Sequence, residues 1–286
     1  MTTEPPTTAR SATPTDPPSP VDPAAGRNGR LSEWHRAVLV GLIAYVVTRL
    51  CVLAGAGVRS AQMVVDARKL AETTGVEPAE PSALSTITEV LTSWDGRWYL
   101  EIIRHGYPSS IPPNITYEQT EARAAFFPVY PWIVRAVDVV LPGGDTLAAV
   151  AVNVVLGALS VVFIGLLARE LYDTRIAARA MIVYVVFPGS FVLSFTYSEA
   201  TLIVCATACL WFLVREQLWL AGIAALIGTG SRPNGVALVA ACAVASLLAI
   251  RRSRDWSSLV AVVLAPLGFI GFQWYVDRTA GGRGAW

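Results

Sequence analysis

The densest run of chemistry-bearing side chains is Ser93-Trp94-Asp95-Gly96-Arg97-Trp98-Tyr99, followed by His105-Gly106-Tyr107-Pro108. Asp95 sits between aromatic residues. A carboxylate can take a proton from an attacking hydroxyl, general-base work typically worth about 10²–10⁴-fold. Trp94, Trp98, Tyr99 and Tyr107 offer flat faces to a pyranose ring, so the cluster points to a sugar-like polar substrate. The alternative is an aromatic belt at a membrane surface, with Asp95 fixing a turn beside Gly96.

Two further polar groups interrupt apolar sequence, Tyr197-Ser198-Glu199 and Ser231-Arg232-Pro233-Asn234-Gly235. Ionisable groups near membrane depth are costly and face a cavity, a partner or a substrate. Glu199 has a structural alternative: Ser198 caps the next helix and Glu199 sits in its first turn, facing the dipole. Arg232 could simply reach water from the Pro233-Asn234-Gly235 turn. Arg49 lies inside an apolar run, where a planar guanidinium fork matches the phosphate of an anionic lipid. Metal binding is not expected, because the chain has two histidines and only His105 lies near the cluster. No Gly-rich phosphate loop or nucleotide-binding strand–helix unit occurs, so a glycosyl donor would be lipid-linked.

These groups must be held by helices in a membrane. The chain is 54% hydrophobic and 15% charged, with a mean hydropathy of +0.51. Its apolar residues come in blocks, as in an all-α polytopic membrane protein. A net charge of +1 gives no case for nucleic acid. Cys51, Cys205, Cys209 and Cys242 all fall in apolar blocks and read as small hydrophobes without a disulfide framework. Residues 1–33 are rich in Pro, Thr, Ser and Ala and read as a disordered cytoplasmic tail. A membrane domain follows over 34–286. Its first span lies near 37–56, a large outer loop with short helices covers 57–125, and an interfacial segment covers 126–141, where Arg135 and Asp138 are spaced to pair. Later spans are expected near 145–168, 180–197, 199–214, 217–231, 235–250 and 257–275, about seven in all.

The charges choose the topology. With 126–141 not crossing, the basic links at Arg169/Arg175/Arg179, Arg215 and Arg251/Arg252/Arg254 share the side of Arg27, Arg30 and Arg36, the cytoplasm by the positive-inside rule. Asp95, Glu199, Arg232 and Asn234 then converge on the extracytoplasmic face.

The motifs Trp94-Asp95-Gly96-Arg97-Trp98-Tyr99 with Gly106-Tyr107, Phe127-Pro128-Val129-Tyr130-Pro131, Tyr197-Ser198-Glu199 and Arg232-Pro233-Asn234-Gly235, in that order, resemble the PIG-V type (GPI mannosyltransferase 2-like) mannosyltransferases, of which bacterial members are known. Thr48-Arg49-Leu50 resembles that family's first helix. The resemblance implies a GT-C-like helical bundle and an inverting enzyme with its site outside the cytoplasm. It implies a polyprenyl-phosphate-mannose donor, a cell-envelope glycolipid or polysaccharide acceptor, and no cofactor beyond the lipid-linked sugar. Asp95 would be the catalytic base. Trp94, Arg97, Trp98, Tyr99, Tyr107, Tyr197, Glu199, Arg232, Asn234 and Arg49 would be substrate-binding candidates. Family members continue with further spans, so a sequence ending at Trp286 is expected to be a fragment or a short member. Two rival readings use the same cavity: a lipid or sugar transporter, whose mark would be inverted repeats, and a non-catalytic subunit that binds lipid-linked sugar.

Overall fold

The computed structural model describes residues 23–75, 82–109 and 122–279, with side chains from Ser32 onward except Ala83. The described chain is all α-helix and 3₁₀ turns. Helix α1, Pro23–Thr74, is 52 residues long and spans about 78 Å. Only about 20 residues are needed to cross a bilayer, so α1 runs on well past the membrane. The helix extends into two of the expected segments. The tail assigned to 1–33 overlaps α1 from Pro23 onward, and the outer loop assigned to 57–125 begins as helix. Residues 1–22, 76–81 and 110–121 of those segments lie outside the described residues.

The projecting part of α1 packs against α2, Ala83–Leu91, with Ser60 and Thr86 hydrogen-bonded across the contact. Ser82 caps α2 by accepting from the Ser85 amide at 3.1 Å. A short turn then leads to α3, Asp95–His105. Over 126–141 the chain forms one ten-residue helix, α4, Val129–Asp138, too short to cross. Arg135 does not pair with Asp138 there. Its guanidinium donates to the Ile103 and Ile102 carbonyls at 2.8 and 2.7 Å, the open C-terminal end of α3.

Helix α5, Asp145–Leu171, is apolar over most of its length and forms the central span. Its small residues let neighbours approach closely. Gly157 faces Tyr45 of α1, whose hydroxyl donates to the Val154 carbonyl at 3.0 Å, and Gly165 faces Met181. Met181 belongs to α6, Thr174–Val186, which begins six residues before the expected 180. Pro188 lacks the amide a continuing helix needs, and the chain bends by 78° into a 3₁₀ segment, Pro188–Ser194. A straight span over 180–197 is therefore replaced by a broken one.

Helices α7, Glu199–Val214, and α8, Leu218–Thr229, are apolar but only 16 and 12 residues long. After a 3₁₀ turn at Pro233–Val236 come α9, Ala237–Ser253, α10, Leu259–Leu264, and α11, Leu267–Thr279. Among the described residues, four helical segments are long and apolar enough to cross, five with the bent pair; seven is reached only if α7 and α8 are counted. The α7–α8–α9 core is built of alanines and the thiols of Cys209 and Cys242, 3.9 Å apart and unbridged.

Candidate active site

Leu91 ends α2, and the Thr92–Trp94 turn delivers Asp95 to the first turn of α3. A carboxylate there is favoured by the amides and dipole of the helix start. The turn is strained. Trp94 has φ of 52°, the left-handed region that a bulky residue rarely adopts. Three contacts hold it in that shape. Thr196 donates its amide to the Leu91 carbonyl at 3.1 Å, Tyr197 donates its hydroxyl to the Ser93 carbonyl at 3.1 Å, and the Trp94 ring stacks on Phe195 at 6.1 Å. Gly96 packs directly against Thr196, with no room for a Cβ.

The other face of α3 is buried. Tyr99, Leu100 and Ile103 pack with Tyr130 and Val134 of α4 and Ala148, Ala149 and Val152 of α5. Asp95 therefore stands at the free end of a firmly seated helix. It is partly exposed and has no hydrogen-bond or ion-pair partner among the described residues.

Glu199 opens α7 and forms an ion pair with Arg232 at 2.5 Å, each side chain about a quarter exposed (25% and 23%). The second Glu199 oxygen, Oε2, is buried without a hydrogen bond. Ser198 does not cap α7. Its hydroxyl shares a hydrogen bond with the Tyr99 hydroxyl at 2.5 Å. That bond ties α3 to α7. The charges of Asp95, Glu199 and Arg232 all act on Tyr99 and Tyr197, so the three groups lie close together although 137 positions separate Asp95 from Arg232. Burial pushes the Tyr197 hydroxyl up to about 12, which keeps it a donor.

The remaining candidates lie elsewhere or have other work. Trp98 stacks on Phe126 at 6.3 Å, with Arg97 over its ring at 5.1 Å. Tyr107 donates to the Phe126 carbonyl at 2.7 Å and packs against Phe272 and Tyr275 of α11, away from Asp95. Asn234 is exposed in its 3₁₀ turn. Arg49 has its donors directed within the protein. It is buried, and it donates to the Ser190 carbonyl at 2.5 Å, the Ser190 hydroxyl at 3.0 Å and the Ser194 hydroxyl at 3.1 Å. Its guanidinium also lies over Tyr45 at 5.0 Å. His105 pairs with Glu101 at 3.0 Å, and no group of metal-ligating residues occurs among the described residues.

Sequence reasoning missed Asn153, which is wholly buried in α5 and donates to the Phe195 carbonyl and, at 2.8 Å, to the Tyr197 carbonyl. A lone amide in a run of Ala, Val and Leu was the available signal, since polar side chains at membrane depth bond across helices.

Residues 124–275, a little over half of the chain, match the family model of the dolichyl-phosphate-mannose-protein mannosyltransferases. The chain belongs to that family. No curated protein and no solved structure matches the chain. The mannosyltransferase match explains the all-α membrane architecture, of GT-C type, and takes in Asn153, Glu199 and Arg232. Asp95 and its turn precede the matched residues, so they stand on sequence chemistry and geometry.

Proposed function

We propose that this mannosyltransferase moves mannose from a polyprenyl-phosphate-linked donor to a glycolipid or polysaccharide acceptor on the extracytoplasmic face, as in the PIG-V type subgroup it resembles. One observation carries the proposal: a free carboxylate, Asp95, stands at a helix start beside the Glu199–Arg232 pair. In the reaction the acceptor hydroxyl oxygen attacks the mannose anomeric carbon. The bond from that carbon to the phosphate oxygen breaks with its electron pair, which leaves on the polyprenyl phosphate. Asp95 takes the hydroxyl proton. Attack opposite the leaving group inverts the anomeric centre. Arg232 is suited to the departing phosphate charge, and Glu199 holds Arg232 in place. Trp94, exposed beside Asp95, offers a face to a sugar ring.

Protein reconstituted into vesicles, supplied with labelled polyprenyl-phosphate-mannose and a membrane glycolipid fraction, tests this. Asp95→Asn should lower turnover by about 10²–10⁴-fold while donor KM stays near the parent value. Unchanged transfer by the variant would remove Asp95 from the base role. Labelled donor crossing the vesicle membrane without a covalent product would favour the transporter reading.

A further inference from the structure

We propose that Asn153 is a positioning residue: it holds the Phe195–Ser198 segment where that segment braces the turn carrying Asp95. The proposal rests on the role given to Asp95 above.

Phe195–Ser198 lies between the 3₁₀ segment and α7, and the Phe195 and Tyr197 carbonyls lie outside the hydrogen-bond ladders of both. Buried carbonyls of this kind must be satisfied by a side chain or water. Asn153 meets that need from the middle of α5, with Nδ2 serving both the Phe195 and Tyr197 carbonyls. Between those carbonyls, the Thr196 amide reaches forward to Leu91, and the Tyr197 hydroxyl reaches Ser93. Ser198 meets Tyr99. The segment is thus gripped by α5 on one side and grips the Asp95 turn on the other. Upstream, Arg49 bonds Ser190 and Ser194, which tethers the chain leading into the segment.

Without the Asn153 amide, the Tyr197 carbonyl loses its donor and the Phe195 carbonyl keeps only the Tyr197 amide, at 2.8 Å. Turning them toward water pulls Thr196 and Tyr197 from Leu91 and Ser93. Asp95 then loses the bracing that sets its place, and misplacement of about 1 Å can cost about 10²-fold in rate.

The test uses Asn153→Leu, which keeps the approximate shape and removes both donors. Thr196 is fully buried, so a cysteine placed there by Thr196→Cys, with Cys51→Ser removing the exposed thiol, reports on the segment. A membrane-impermeant maleimide should react with that cysteine at least about tenfold faster in the Asn153→Leu background, as local opening predicts. Without the reporter, Asn153→Leu should lose turnover by about 10²-fold with donor KM unchanged and a cooperative melt retained. Unchanged protection of the cysteine, or unchanged turnover, would overturn the proposal. If Asn153→Leu does not fold, Asn153→Asp replaces it, keeping at most one donor, and both readouts should fall between parent and full loss. A parent that transfers no mannose would sink the functional reading instead, and the labelling result would still judge the clamp.

Discussion

At the scale of residues, two carboxylates close enough to act on one another are in different states. Among the described residues Asp95 is unpartnered, whereas Glu199 is bound to Arg232. Removing one member of a partly buried pair leaves the other uncompensated. A double-mutant cycle of Glu199→Gln and Arg232→Gln, read from unfolding in detergent, should show a coupling of about 0.5–3 kcal/mol. Near-zero coupling would mean that the pair is not formed. Tyr99 offers a pH signature. Burial, offset in part by the bond to Ser198 and the charge of Arg232, pushes its hydroxyl from 10.0 up to about 12. In the unfolded chain that proton leaves near pH 10, so above it the unfolded state binds fewer protons. The stability contribution is therefore full below pH 10 and is lost as pH rises through about 12. Tyr99→Phe should flatten part of that decline in melts over about pH 8 to 12. Tyr197 carries a share of the same slope, so the flattening is partial.

At the scale of elements, short and broken helices bring the polar groups together. Helix α8 ends at Thr229, whose hydroxyl donates to the Ala265 carbonyl at 2.7 Å, and the chain then turns to present Arg232. Gly268 of α11 lies against the Leu226 carbonyl and the Gly230 amide, with no room for a Cβ. Gly268→Ala should cost about 1–3 kcal/mol by overpacking and should lower transfer, because the strain falls on the Gly230–Arg232 connection. A melt and turnover equal to the parent's would show that this crossing does not set Arg232. The span expected over 180–197 ran through Pro188, although proline cannot continue a helix. The 78° bend it makes was not legible, because the groups that stabilise it, Arg49 and Asn153, lie 139 and 35 positions upstream.

At the scale of the whole molecule, the charges divide between two poles. Asp145, which pairs with Arg104 at 2.5 Å, and Glu199 open α5 and α7 at the site end. At the far ends of those helices, Arg169 lies over Trp34 at 5.0 Å and Arg215 pairs with Glu170 at 3.2 Å. Arg252, at the end of α9, pairs with Glu216 at 3.5 Å. The basic links thus share one pole and the candidate site occupies the other. If the basic pole is cytoplasmic, impermeant maleimide on intact cells should label Val140→Cys but not Tyr172→Cys, both exposed positions, in a Cys51→Ser background. The reverse pattern would invert the assignment and remove lipid-linked donors outside the cytoplasm from consideration.

The sequence by itself determined the solvent and the class of the fold. Long apolar blocks require helices in lipid, because no other described local structure satisfies its own backbone bonds there. It also marked Asp95, Glu199 and Arg232, since charge beside apolar sequence is costly enough to stand out. Tertiary structure alone decided the use of the other polar side chains. Arg49 donates to Ser190 and Ser194, Ser198 looked like a helix cap and bonds Tyr99, and Arg135 was spaced for Asp138 and closes α3. Asn153 went unmarked and ties the centre of the fold to the site. A hydrogen bond depends on what lies within about 3 Å, and for these residues the partner comes from a distant part of the chain, which local pattern cannot supply.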